Sequence, residues 1–261
     1  MKRWLIVMRN ILENLDIYII EKKGGDYLRY FGGKTRICKD IVKVINSYKK
    51  EEQVFLSPFV GGGCVEQYIK GKKILCDKHR YLIEMYKALQ DGWMPPTELT
   101  EEEYMYIKDN KDEKPYLTGF VGFGCSFAGK WFGGYAKDKT GRNYCLNAYN
   151  SILKKIENGL LENSKFICCD YRDLKPRDMI IYCDPPYKGT TQYDKVIVGE
   201  FNHDEFWEIM REWSKNNIVL ISEYEAPDDF EIVWEKETKL DIRDKNNKKQ
   251  RRIERLFKYM I

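Results

Sequence analysis

The chain has 261 residues, 43% of them hydrophobic and 33% charged, with a formal net charge of +4. This suits one large α/β domain, with room for an inserted subdomain and a sizeable core. Its eight cysteines form no CxxC pair and only two histidines accompany them, so neither a zinc site nor a disulfide framework is indicated. No apolar run is long enough for a signal peptide or a membrane span, and a reducing cytoplasm is expected.

Residues 1–23 carry no clear motif. Tyr30-Phe31-Gly32-Gly33-Lys34 follows, leading into an amphipathic run (Ile37, Ile41, Val44, Ile45, Tyr48) that predicts a loop entering a helix. Gly-Gly-Lys-Thr invites a phosphate-loop reading, but position 28 is Leu where that loop needs Gly. Residues 54–66 predict a strand, a turn through Pro58, Phe59, Gly61, Gly62 and Gly63, and a helix start. Three adjacent glycines let main chain lie against a flat or extended ligand, although the spacing is not Gly-x-Gly-x-x-Gly. A second strand, residues 72–77, ends in Asp77, an acid placed for ribose hydroxyls.

From about residue 81 to 147 the pattern changes and an insertion is expected. Thr100 and Glu103 predict a capped helix start. Residues 119–135 interleave aromatics, glycines and a lysine, which suits a mobile surface stacking on bases and equally a tightly packed loop. Lys130, Trp131, Arg142 and Asn143 are its candidate nucleic-acid contacts. Helical spacing returns over 151–161. A third strand ends in Asp170 and Tyr171. His79 and His203 lack metal-like partners and read as surface or capping residues, and no metal is expected. A helix capped near Asn202 carries Phe206, Trp207, Met210 and Trp213, and a fifth strand covers 217–224. Closing strands are expected over 230–235 and 252–261. The last stretch is basic and suits phosphate contacts or a solvated hairpin.

Met179-Ile180-Ile181-Tyr182-Cys183-Asp184-Pro185-Pro186-Tyr187 carries the chemistry. The apolar run predicts a buried parallel strand. Pro185 and Pro186 cannot continue the ladder and force an extended exit at the strand's carboxyl end, where open α/β sheets bind ligands. Asp184 and the Pro185 carbonyl can accept from an amino group there, and Tyr187 can stack on a flat ring.

This ordered set of motifs resembles the Dam-like, alpha-group N6-adenine DNA methyltransferases, and it covers most of the chain from Leu28 to Tyr224. The resemblance implies a Rossmann-like, mostly parallel sheet with helices on both faces and a smaller inserted helical recognition domain. Residues 1–80 and 148–261 would form the methyltransferase domain and 81–147 the recognition domain. It implies S-adenosylmethionine as cofactor, its methionine end lined by Tyr30, Gly32, Gly33 and Lys34 and its backbone wrapped by Pro58, Phe59 and Gly61 to Gly63. Asp77 would hold the ribose, Asp170 and Tyr171 the adenine moiety, and Asp184 would stand where cofactor and target meet. Double-stranded DNA is the implied partner, with a flipped-out adenine as target and a cognate restriction endonuclease as a candidate associate in a bacterial or phage-infected cell. Two departures stand out. The acid often found before Pro-Phe in the glycine motif is Ser57, and the insertion lacks the Arg-x-Asn-x-x-Gly-x-Phe-Asn pattern of GATC-reading members, resembling phage or prophage members instead. The recognition sequence therefore stays open. Cytosine N4 presents a similar amine and is the alternative target; a catalytically degenerate DNA-binding protein of the same fold is the non-enzymatic one.

Overall fold

The computed structural model describes residues 34–139, 141–188, 195–243 and 249–260. Elements in chain order are α1 (Cys38–Tyr48), β1 (Phe55–Ser57), β2 (Lys73–Asp77), α2 (Arg80–Gln90), α3 (Glu101–Asp109), α4 (Pro115–Gly124), α5 (Tyr144–Glu157), β3 (Ser164–Cys168), β4 (Ile180–Cys183), the short α6 (Lys195–Val198), α7 (His203–Ser214), β5 (Ile218–Glu223), β6 (Phe230–Arg243) and β7 (Lys249–Tyr259).

The strands form one seven-stranded sheet in the order β3-β2-β1-β4-β5-β7-β6. β1 to β5 pair in parallel, and β7 runs antiparallel between β5 and β6. The chain travels outward through β1, β2 and β3, then returns to lay β4 beside β1, with Phe55 opposite Ile180 and Leu56 opposite Ile181. That reversal is a topological switch point, and it brings the ends of β1 and β4 together.

Side chains alternate across the sheet. Phe55, Leu75, Ile180, Tyr182 and Leu220 face a core completed by α1, α2 and the middle helices. Leu56, Cys76, Ile181, Cys183 and Ile221 face the opposite core, with Phe206, Met210 and Trp213 of α7. Helix α1 buries Cys38, Ile41, Val42 and Ile45, a stripe at helical spacing. Asn202 caps α7 by accepting from the Asp204 and Glu205 amides, and the expected box at Thr100 forms reciprocally with Glu103.

Some expectations shift. Helix α2 packs on β2 and β3 as well as on α4, so the chain leaves the sheet layer after Gln90 rather than at residue 81. Helix α5 begins at Tyr144, ahead of the expected 151. The closing strands are longer than read, forming a hairpin that carries the basic stretch. Its described cations are tied down: Arg255 reaches Glu235 at 3.2 Å and Lys258 reaches Glu231 at 3.4 Å.

The glycine–aromatic stretch is a packed body, not a mobile surface. A Cβ at Gly119 would stand 2.1 Å from the Tyr81 carbonyl oxygen, and one at Gly122 2.3 Å from the Trp131 ring. The glycines thus let α4 press against α2 and receive Trp131. Among the described residues no helix is long and apolar enough to cross a membrane.

Candidate active site

At the carboxyl ends of β1, β2 and β4 lies an open cleft. Its floor is the turn after β1. Gly61 (φ 46) and Gly63 (φ 66) adopt left-handed backbone, and a Cβ at Gly63 would meet Leu160 Cδ1 at 2.9 Å. The turn is anchored from behind: Tyr86 donates to the Gly61 carbonyl at 2.8 Å and Lys155 to the Gly62 carbonyl at 2.6 Å.

Asp77 ends β2 and points its carboxylate back at this turn. It accepts from the Gly61 amide at 3.0 Å and the His79 amide at 2.9 Å. Burial pushes its carboxyl up to about 6 against those two donors. Phe59 and Tyr171 lie 5.1 Å apart and Phe201 sits 6.0 Å from Phe59, forming an aromatic wall fit for a flat base. Asp170 is engaged by Arg172 at 2.7 Å and Lys78 at 2.9 Å, with Arg172 foremost in holding it well below the usual carboxylate range.

Asp184 follows β4 into the same cleft. The Lys34 ammonium lies 3.1 Å from its carboxylate, donates to the Tyr187 hydroxyl at 2.6 Å and sits 4.1 Å over the Tyr187 ring centre. Glu254 of β7 completes the cluster, 3.3 Å from Lys34 and accepting from Tyr187 at 3.2 Å. Burial raises Asp184 while Lys34 pulls it down, leaving it above its ordinary value. Burial depresses Lys34, but Asp184 and Glu254 outweigh it and hold the ammonium charged. Pro186 lines the cleft.

The cleft therefore gathers Lys34, Pro58, Phe59, Gly61, Gly62, Gly63, Asp77, Asp170, Tyr171 and Asp184. Tyr30, Gly32 and Gly33 lie outside the described residues. In the middle region, the candidate contacts divide. Lys130 and Arg142 are exposed. Trp131 is packed instead among Tyr81, Phe123 and His79, its ring 4.3 Å from the imidazole, so it is committed to the insertion's core. Asn143 caps α5, accepting from Leu146 at 2.9 Å and donating to Thr97 at 3.0 Å, which occupies both ends of its amide.

Three residues in this neighbourhood escaped the sequence reading. His79 is 2% exposed, contrary to a surface role; it stands at the N-cap position of α2, without a side-chain cap bond, and lines the cleft. Neither ring nitrogen has a hydrogen-bond partner among the described residues, and burial drives the imidazole down to about 3, keeping it neutral. Glu66 is 2% exposed and also lines the cleft. Glu254 arrives from a stretch that reads as a basic run.

A switch-point cleft with a glycine turn, a strand-end acid and a carboxylate–proline–tyrosine corner defines an α/β protein with a ligand cleft at the carboxyl ends of its parallel strands. The chain belongs to the D12 class N6 adenine-specific DNA methyltransferases, whose family profile matches residues 30–122 and 129–249, and N6 methylation of adenine in DNA is its activity. It is 26% identical over 224 residues to the Type II methyltransferase M.MjaIII of Methanocaldococcus jannaschii, covering 69% of this chain and 75% of that protein. To the DNA adenine methylase of Haemophilus influenzae it is 25% identical over 200 residues, covering 65% of this chain and 66% of that protein. A Pyrococcus horikoshii structure described as a candidate RNA methyltransferase aligns over 100% of both chains with TM-score 0.42 and 11% identity, a likeness that bears on neither substrate nor mechanism.

Proposed function

We propose that the chain takes its methyl group from S-adenosylmethionine and delivers it to an adenine extruded from double-stranded DNA at a short specific sequence. The observation that carries this reading is Asp184 at the end of β4, already holding an amine-type donor, Lys34, between its carboxylate and the Tyr187 ring. An exocyclic amine entering this corner meets the same acceptor and the same aromatic face.

The cleft fits the cofactor. The Gly61–Gly63 turn lines the cleft with main chain, Asp77 is aimed by two amides for hydroxyl donors, and Phe59 with Tyr171 suits a flat base. When bound, S-adenosylmethionine supplies a methyl on a sulfonium, ready for in-line attack. Asp170, being already paired with Arg172 and Lys78, acts on the adenine moiety by positioning the 171–173 turn rather than as a free acceptor.

Adenine N6 is a poor nucleophile because its lone pair is delocalised into the ring, and inside a duplex it is out of reach. Asp184 and the Pro185 carbonyl accept from the amino group, which localises the lone pair and aims it. As the nitrogen gains its methyl, Asp184 takes the proton that nitrogen must lose. Pro185 and Pro186 keep this corner rigid, so most of the gain is positional and electrostatic. Lys34 keeps its contact with Glu254, 3.3 Å away, as the target amine takes its place on Asp184.

The catalytic domain spans residues 1–80 and 148–261 with α2 added to it, and the remainder of 81–147 is the recognition domain. Lys130 and Arg142 are its DNA-facing cations. A cognate endonuclease is the associate suggested by the Type II relative. Transfer of labelled methyl to unmethylated duplex DNA, followed by nucleoside analysis, tests the reading. Label in N6-methyladenine is expected; label in N4-methylcytosine, or in RNA only, would overturn it.

A further inference from the structure

Glu66 sits in the 3₁₀ turn Glu66–Tyr68 that follows the glycine turn, and it is one of the residues lining the cleft although only 2% of it is exposed. It is fixed from two sides. Ser57 donates to one oxygen at 2.8 Å and the Val65 amide to the other at 3.2 Å, both bonds buried. An ionised carboxylate offers about four acceptor sites, so two donors leave it unsaturated.

Among the described residues it has no ion-pair partner: no lysine or arginine nitrogen lies within 4.0 Å of its oxygens. Two lysines are close but spent on main chain: Lys73 donates to the Gly159 carbonyl at 2.5 Å and the Glu66 carbonyl at 3.4 Å, and Lys155 to the Gly62 carbonyl at 2.6 Å. A buried carboxylate with no cation bonded to its oxygens is costly to keep, and burial pushes this one up to about 7. Such a group, oriented by its neighbours and open to a ligand cleft, is built to receive a cation that can donate N–H bonds.

We infer that Glu66 receives the ammonium of the cofactor's amino-acid end, with Ser57 serving to aim it. This rests on the cofactor reading above. The other charge on S-adenosylmethionine, the sulfonium, has no hydrogen to give a carboxylate, whereas the ammonium has three. The cleft's strand-end acids have other roles in that reading: Asp184 takes the target amine, Asp170 is held by Lys78 and Arg172, and Asp77 stands at the end of β2, where ribose hydroxyls bind. Ser57 thus does not leave the cleft without an acid; the acid reaches in from nine residues downstream.

The test compares Glu66→Gln with the wild type by calorimetric titration, using S-adenosylmethionine and 5′-methylthioadenosine, which keeps the nucleoside and the sulfur but lacks the amino-acid arm. Glu66→Gln should weaken S-adenosylmethionine about 10- to 100-fold, the size of a lost charged hydrogen bond. Its affinity for 5′-methylthioadenosine should stay unchanged, which also reports an intact cleft. Titrations at pH 6.5 in buffers of different ionisation enthalpy add a second readout. Binding of a cation favours ionised Glu66, so the wild type should release a fraction of a proton that the variant does not. The groups facing Glu66 that share this titration are Asp184, Lys73, Lys155, Tyr86 and Tyr182, and the difference between the two proteins isolates Glu66. Equal losses for both ligands, or no loss for either, would overturn the assignment while the cofactor reading stands. A wild type that binds neither ligand would remove the cofactor reading and this inference with it.

Discussion

Asp184 stands between a lysine that is already in place and an amine that has yet to arrive. Replacing it with Ala removes the acceptor from the target amine, and methyl transfer should fall at least ~100-fold, the usual cost of a lost electrostatic stabiliser. Cofactor affinity should change little, as measured by titration; near-normal turnover would refute the role. Its partners were legible to different degrees. Asp-Pro-Pro-Tyr and the glycine turn could be read because each punctuates the end of a strand-like run. Glu66, His79 and Glu254 could not, since they belong to no motif and gain meaning only from what the fold puts beside them. A lone His after Asp77 reads as a cap, and Glu254 is camouflaged by Arg252 and Arg255. The raised carboxyls also have a stability consequence. Burial lifts Glu66 to about 7 and Asp77 to about 6, above ordinary unfolded values near ~4. The folded chain therefore holds protons that the unfolded chain has lost between about pH 4 and 7, and stability contributed by these groups falls as pH rises through that window. Glu66→Gln should raise the melting temperature of the ligand-free protein, by a margin that grows from pH 5 to pH 8 in scanning calorimetry. A margin independent of pH would mean that Glu66 does not carry this cost.

Glycines among aromatics suited a surface that stacks on bases and a tightly packed loop equally, and helices α2 and α4 decide for packing: Gly119 and Gly122, one helical turn apart, meet Tyr81 and Trp131. Gly119→Ala would press a methyl against the Tyr81 carbonyl, and overpacking of this kind costs roughly 1–3 kcal/mol. A lower melting temperature is expected, with the insertion losing amide protection before the sheet. Thr100→Ala is a milder probe of the same body. It removes one half of a capping box, worth about 1 kcal/mol, and should leave methyl transfer at saturating DNA unchanged. A loss of transfer equal to that of Asp184→Ala would place α3 in the site rather than beside it.

Across the whole molecule, the formal charge of +4 is too small to grip DNA by itself, so its distribution matters. Arg255 and Lys258 of the β6–β7 hairpin pair with acids across the strands, and Lys130 and Arg142 lie at the surface of the insertion, Arg142 3.9 Å from Asp138. DNA affinity should fall linearly on a log–log plot against salt, with a slope of roughly −0.9 per phosphate contacted. Lys130→Ala should flatten that slope by about one contact; an unchanged slope would move the phosphate track elsewhere. The sheet order was only partly legible. Five strands and the mostly parallel character follow from apolar runs and strand-end acids, but nothing local announces that β7 inserts between β5 and β6.

That insertion sets a clock on the enzyme. Lys34 comes early, Asp184 two-thirds of the way along, and Glu254 on a strand that must pair with β5 before it can reach them. During synthesis at about 5–20 residues per second, Tyr259 follows Asp184 by roughly 4–15 s. Through that interval the emerging chain owns a glycine turn and a reacting carboxylate but lacks the acid that shares Lys34. A ribosome-tethered chain halted before Lys249 should therefore be silent toward DNA, and the ability to mark a genome should appear only when the β6–β7 hairpin closes.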